Sequence, residues 1–147
     1  MGGHPYWYTV PYQPDISKAL DELRQQEFQA GRYNPVTPFP KFPITASSAA
    51  PGAGHRDIEE VMAASNEDGT RSILDIATIS ADSEYFAAAP LSDATLKSYF
   101  GTTQPSRAMI ESNMKFLEKV QRGQAVYIVL YKEGIPAELF FAGYSFD

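Results

Sequence analysis

Cysteine is absent from the chain. Its absence excludes disulfides, thiolate nucleophiles, cysteine zinc sites and iron–sulfur clusters, and it fits a reducing cytoplasm. Histidine is scarce: only His4 and His55 occur, so a histidine metal site is short of ligands and none is expected. No apolar run approaches the roughly 18 residues of a membrane span. The leading MGGHPYWYTVPY lacks the basic and unbroken apolar regions of a signal peptide. Clustered positive charge is missing too, because 12 Lys and Arg are scattered among 18 Asp and Glu for a net charge of -6. That balance offers no footprint for nucleic-acid phosphates or an anionic membrane surface. GxGxxG, GxxxxGK[ST], HExxH and GxSxG are all absent, which removes the dinucleotide-fold, P-loop, zincin and nucleophile-elbow readings on their own motifs. The expectation is a soluble cytoplasmic protein with no cofactor, no nucleic acid and no membrane among its partners.

What the chain does have is core-forming material. Of 147 residues 44% are hydrophobic, with nine Phe, nine Tyr and one Trp. A chain this long buries roughly 70% of its unfolded surface, so one globular domain over residues 1–147 can stand without staples.

Periodicity divides the chain into elements. Residues 6–12, YWYTVPY, read as a strand ended by Pro11 and Pro14. Asp15 caps a helix to about residue 30, with Ile16, Ala19, Leu20, Leu23 and Phe28 on one stripe and Gly31 as its left-handed stop. Pro35, Pro38, Pro40 and Pro43 predict an extended path over residues 33–43, laid on the protein's own surface by Val36, Phe39 and Phe42. Asp57 and Glu60 have capping-box spacing before a short helix over 58–65, and NEDG at 66–69 reads as a turn. TRSILDIATI, residues 70–79, predicts a buried strand. Ser92 caps a helix to Phe100, and a long helix is expected over 105–122 with Met109, Ile110, Met114, Leu117 and Val120 facing the core. QAVYIVLYK and AELFFAGYSF flank EGIP, which predicts a β-hairpin whose first strand is covered on both faces. The fold class is therefore α+β: a largely antiparallel sheet with a C-terminal hairpin, covered by three to four helices.

Candidate functional residues are few. His55 lies with Asp57 and Glu59 in GHRDIEE, beside the hydroxyls of Thr45, Ser47 and Ser48. Asp75 falls inside an apolar segment, where a carboxylate needs a partner such as Arg71 or Arg32 unless it sits outward on an edge. Glu138 and Arg107 are charges of the same ambiguous kind. Arg32, Tyr33 and Asn34 form the most suggestive trio, since arginine beside an aromatic residue in a short exposed loop is a common recognition element.

GRYNP, residues 31–35, resembles the Gly-Arg-Trp-Asn-Pro signature of the bacterial RES-domain toxins, with ITASSAA following it. Those proteins degrade NAD and are related to ADP-ribosyltransferases, and the resemblance implies NAD-consuming chemistry at Arg32. Tyr33 replaces the signature tryptophan, a proline-rich insert follows, and the family's later glutamate and serine have no assigned positions here. No family is assigned on five residues.

The composite reading leans away from an enzyme. It is a non-enzymatic domain of an immunity-like or accessory kind that binds a protein partner or self-associates. Arg32, Tyr33 and the proline-rich loop form its contact face, together with exposed Tyr12 and Tyr99 and an N-terminal edge strand. The alternative is a small NAD- or nucleotide-acting enzyme in which Arg32 grips phosphate, Tyr33 stacks on a base and Asp75 or Glu138 polarises the sugar.

Overall fold

The computed structural model describes residues 3–65 and 68–146. Five strands form one sheet in the order β1-β5-β4-β3-β2: β1 Pro5–Pro11, β2 Thr78–Ile79, β3 Ala87–Pro90, β4 Ala125–Lys132 and β5 Ile135–Tyr144. Four helices accompany it, α1 Ile16–Ala30, α2 Ile58–Ser65, α3 Asp93–Phe100 and α4 Arg107–Ser112. The architecture is α+β, and the C-terminal hairpin is present with its turn at Glu133 and Gly134, both at positive φ as such a two-residue turn requires. Among the described residues no helix is long and apolar enough to cross a membrane.

The sheet is mixed rather than largely antiparallel. β5 pairs antiparallel with β1 and β4, whereas β3 runs parallel to both β4 and β2. Ala87, Ala88 and Ala89 carry no strand propensity of their own, so β3 is held by its neighbours and was invisible to pattern. Reaching β4 in parallel demands a crossover, and α3 and α4 supply it. The two faces of the sheet are covered by different helices. Tyr6, Tyr8, Leu139 and Phe141 pack with Ala19, Leu20 and Leu23 of α1. Ile128, Leu130, Phe140 and Ala142 pack with Leu96 of α3, Ile110 of α4, and Phe116 and Leu117 beyond it.

Three further expectations are corrected. Residues 70–79 do not form a strand: Ser72 Oγ accepts the Leu74 N–H at 3.2 Å and starts a 3-10 turn, Ile73–Asp75, before the two residues of β2. The long helix is cut short because Asn113 leaves helical geometry at φ −147, donating its side-chain amide to Tyr99 O at 3.1 Å, and a 3-10 segment Lys115–Lys119 follows. A side chain that can bond nearby backbone competes with the helix in this way. The proline-rich path is a series of turns, not an extended run, since the Thr37 N–H returns to Tyr33 O at 2.7 Å. Of the expected turn at 66–69, Asn66 and Glu67 lie outside the described residues.

Caps set the ends of the helices as composition implies. Asp15 Oδ1 accepts the Lys18 N–H at 3.0 Å, and Gly31 closes α1 at φ 75. A Cβ on Gly31 would sit 2.2 Å from Gly52 O, whereas one on Gly101, also left-handed at φ 73, would meet nothing within 4 Å. Gly101→Ala should therefore cost about 1–2 kcal/mol for backbone strain alone, and Gly31→Ala should cost clearly more. Urea unfolding of the two variants checks the ranking.

Candidate functional site

Gly31 turns the chain back along the last turn of α1, and Arg32 folds onto Glu27. Its Nε donates to Oε1 at 2.8 Å and its Nη2 to Oε2 at 2.6 Å, a bidentate pair in which Glu27 is fully buried and the arginine side chain is 13% exposed. This bonding raises the guanidinium pKa above its ordinary value. Tyr33 is fully buried. Its ring stacks on Phe28 at 6.0 Å, and its hydroxyl meets His55 Nδ1 at 2.9 Å while accepting the Gly54 N–H at 3.1 Å. Asn34 is buried as well, donating its backbone N–H to Thr70 O at 2.8 Å and its side-chain amide to Gly69 O at 3.0 Å. From there the Thr70 N–H reaches Asp75 Oδ1 at 2.8 Å.

The five sequence candidates thus fall into one neighbourhood, joined by hydrogen bonds, but they do not form an exposed loop. Arg32, Tyr33 and Asn34 clasp α1 to the 52–55 loop and to the 69–75 segment. Tyr33 has no open ring face for a base. Arg32 pairs with Glu27 rather than Asp75, and Asp75 is buried rather than edge-facing. Glu138 is held apart from this group by Arg107, whose Nη1 lies 3.0 Å from Oε2. The contact face expected around Tyr12 and Tyr99 is also altered, since both are half-buried against the two cores. Among the described residues no three of His, Asp and Glu gather as a metal-ligand set. Glu27 went unnoticed in sequence, although a glutamate following Leu20 and Leu23 at helical spacing, on the apolar stripe, was the available signal.

Beside this clasp lies a second polar group. The buried Tyr8 hydroxyl accepts the Ile73 N–H at 3.2 Å, and Arg24 Nη2 donates to Leu74 O at 2.9 Å. Burial pushes the phenols of Tyr6 and Tyr8 well above their usual value, reinforced by the charge of Asp75 for Tyr6 and of Glu27 for Tyr8. Burial likewise lowers Arg24.

Two of the hollows open to solvent bear on binding. The first is an aromatic groove of about 560 Å³ lined by Tyr85, Phe86, Gln121, Arg122 and Phe146. Tyr85 is 59% and Phe86 47% exposed, and their rings lie 6.3 and 5.3 Å from that of Phe146. Phe86 stands at φ 64, its N–H on Gly123 O at 2.8 Å and its carbonyl on the Ala77 N–H at 2.7 Å. Gly123 packs against these rings, and a Cβ there would come within 2.4 Å of the Phe146 ring. SADSEYFAAAP has no helical or strand period, and its one hint is an aromatic pair between a polar run and alanines. The second surface is a cleft of about 160 Å³ along β1, walled by Gln26 and Glu27 of α1 and by Arg107 and Glu111 of α4.

Comparison with protein-family models, curated proteins and solved structures finds no match for the chain.

The clasp makes two predictions. Arg32→Ala leaves a buried, uncompensated carboxylate and should cost about 3–5 kcal/mol, whereas the double variant Glu27→Leu/Arg32→Leu should recover most of that loss in urea unfolding. Tyr6 and Tyr8 hold their protons in the fold beyond the ordinary tyrosine value of 10.0. A raised folded pKa gives stability that is intact below pH 10 and falls above it, by about 1.4 kcal/mol per pH unit for each tyrosine. Melting temperature against pH, with tyrosinate absorbance as the second signal, should show both phenols titrating only on unfolding.

Proposed function

We propose that this chain is a non-enzymatic protein-binding domain of an accessory or immunity-like kind, acting in the cytoplasm, that receives an apolar side chain of its partner between Tyr85, Phe86 and Phe146. The observation that carries this reading is Phe86. A bulky residue at positive φ costs free energy that glycine or asparagine would avoid, and nearly half of the Phe86 surface is still left to solvent. Both its backbone groups are bonded, so the conformation is imposed and the ring is aimed outward beside Tyr85. Rigid aromatic side chains of this kind supply contact area at low entropic cost and are enriched at the centres of protein interfaces. The burial of Tyr33 and the engagement of Arg32 by Glu27 also weigh toward binding, because neither group is left to handle a nucleotide.

A photo-cross-linking phenylalanine at Tyr85, introduced in cells, tests the proposal. It should yield an adduct with a second protein. Adding Phe86→Gly should abolish that adduct while the protein still melts cooperatively, because glycine takes the left-handed conformation without steric strain. An adduct that survives Phe86→Gly overturns the reading. Saturable stabilisation of the purified protein by NAD or a nucleotide overturns it in favour of the enzyme.

A further inference from the structure

β1 is an edge strand, and its hydrogen-bond parity determines which of its groups are open. The Ser145 N–H bonds to His4 O at 3.0 Å and the Tyr12 N–H to Ala137 O at 3.1 Å. With Tyr6, Tyr8 and Val10 opposite Gly143, Phe141 and Leu139, the even-numbered residues are the ones bonded to β5. In an antiparallel ladder the alternate residues turn their backbone groups away from that partner. Those are Pro5, Trp7, Thr9 and Pro11, and the two prolines have no N–H to offer. The open edge therefore presents two N–H groups, of Trp7 and Thr9, with carbonyls between and beside them. Trp7, Tyr8, Thr9 and Val10 are the residues that line the cleft between α1 and α4, so the open groups lie in a recess and not on a flat rim.

We infer that this recess is a strand-addition site for an extended segment of a partner protein, which pairs with the Trp7 and Thr9 backbone and places alternate apolar side chains against the two walls. One wall offers half-buried Val10 and Ile44 beside Gln26, the other half-buried Trp7 and Met114 beside Arg107 and Glu111, so the segment carries short apolar residues at successive positions next to the strand and polar ones where it leaves the recess. A second copy of the chain is disfavoured as the occupant, because pairing two β1 edges would press the same helices of two chains, each of net charge -6, against one another. The inference is independent of the aromatic groove and stands or falls without it.

Thr9→Pro is the decisive variant, since the Thr9 N–H takes no part in the β5 ladder and proline already occupies the two neighbouring outward positions. Peptides selected from a displayed library of random eight-residue sequences on the whole protein should bind Thr9→Ala as they bind the natural chain. Thr9→Pro should bind them at least about tenfold more weakly. Amide hydrogen exchange gives a second readout that does not depend on the variant folding. The Trp7 and Thr9 amides should exchange faster than those of Tyr8 and Val10 in the free protein and become protected when a selected peptide is added. No selected peptide, binding indifferent to Thr9→Pro, protection confined to the residues around Phe86, or concentration-dependent self-association protecting Trp7 and Thr9 would each overturn the inference.

Discussion

The ion pair between Glu27 and Arg32 constrains more of this structure than any other contact. A carboxylate with no solvent access must be matched at short range, and Arg32 reaches Glu27 because the chain reverses direction directly after α1. Gly31 allows the reversal, and Gly52 lies against it where a side chain would clash. Once Arg32 is fixed, Tyr33 is driven onto Phe28 and Asn34 onto the 69–70 backbone. The helix, the proline-bearing loop and the 3-10 turn that carries Asp75 are thereby set relative to one another. Residues with the look of a recognition motif thus also join the helix to the segments around it.

Local chemistry was legible and long-range chemistry was not. Asp15, Ser92, Gly31 and Gly101 act on backbone within a few residues, and each ends its helix where the sequence says it should. The hairpin was equally plain, because its strands and turn are contiguous. Asn113 broke the expected helix by reaching Tyr99, a partner no periodicity reveals. Ala87 to Ala89 became a strand because β4 and β2 flank them, and that parallel pairing is what made the sheet mixed. Of the candidate residues, sequence reasoning located the right neighbourhood in Arg32, Tyr33, Asn34, His55 and Asp75, but misjudged which way they face. The error has one source: Glu27 went unnoticed, and with it buried the Arg32 side chain turns inward to meet it.

The open features share a trait that the clasp lacks. Phe86 is held at an unfavourable dihedral by its neighbours, and Trp7 and Thr9 keep backbone groups unpaired between two prolines. Neither arrangement lowers the energy of the isolated chain, whereas the clasp satisfies groups that would otherwise be costly.

β5 is the spine of the sheet, paired on one side with its near neighbour β4 and on the other with β1, from Pro5 opposite Tyr144 to Pro11 opposite Glu138. A chain synthesised from its N-terminus delivers β1 and α1 long before the strand they need. Until β5 leaves the ribosome, Tyr6, Tyr8 and the apolar stripe of α1 have no sheet to cover, and their closure carries the entropy of a loop nearly as long as the protein. The order of synthesis and the order of assembly are thus opposed: the hairpin made later is the template that the strand and helix made earlier need in order to pack.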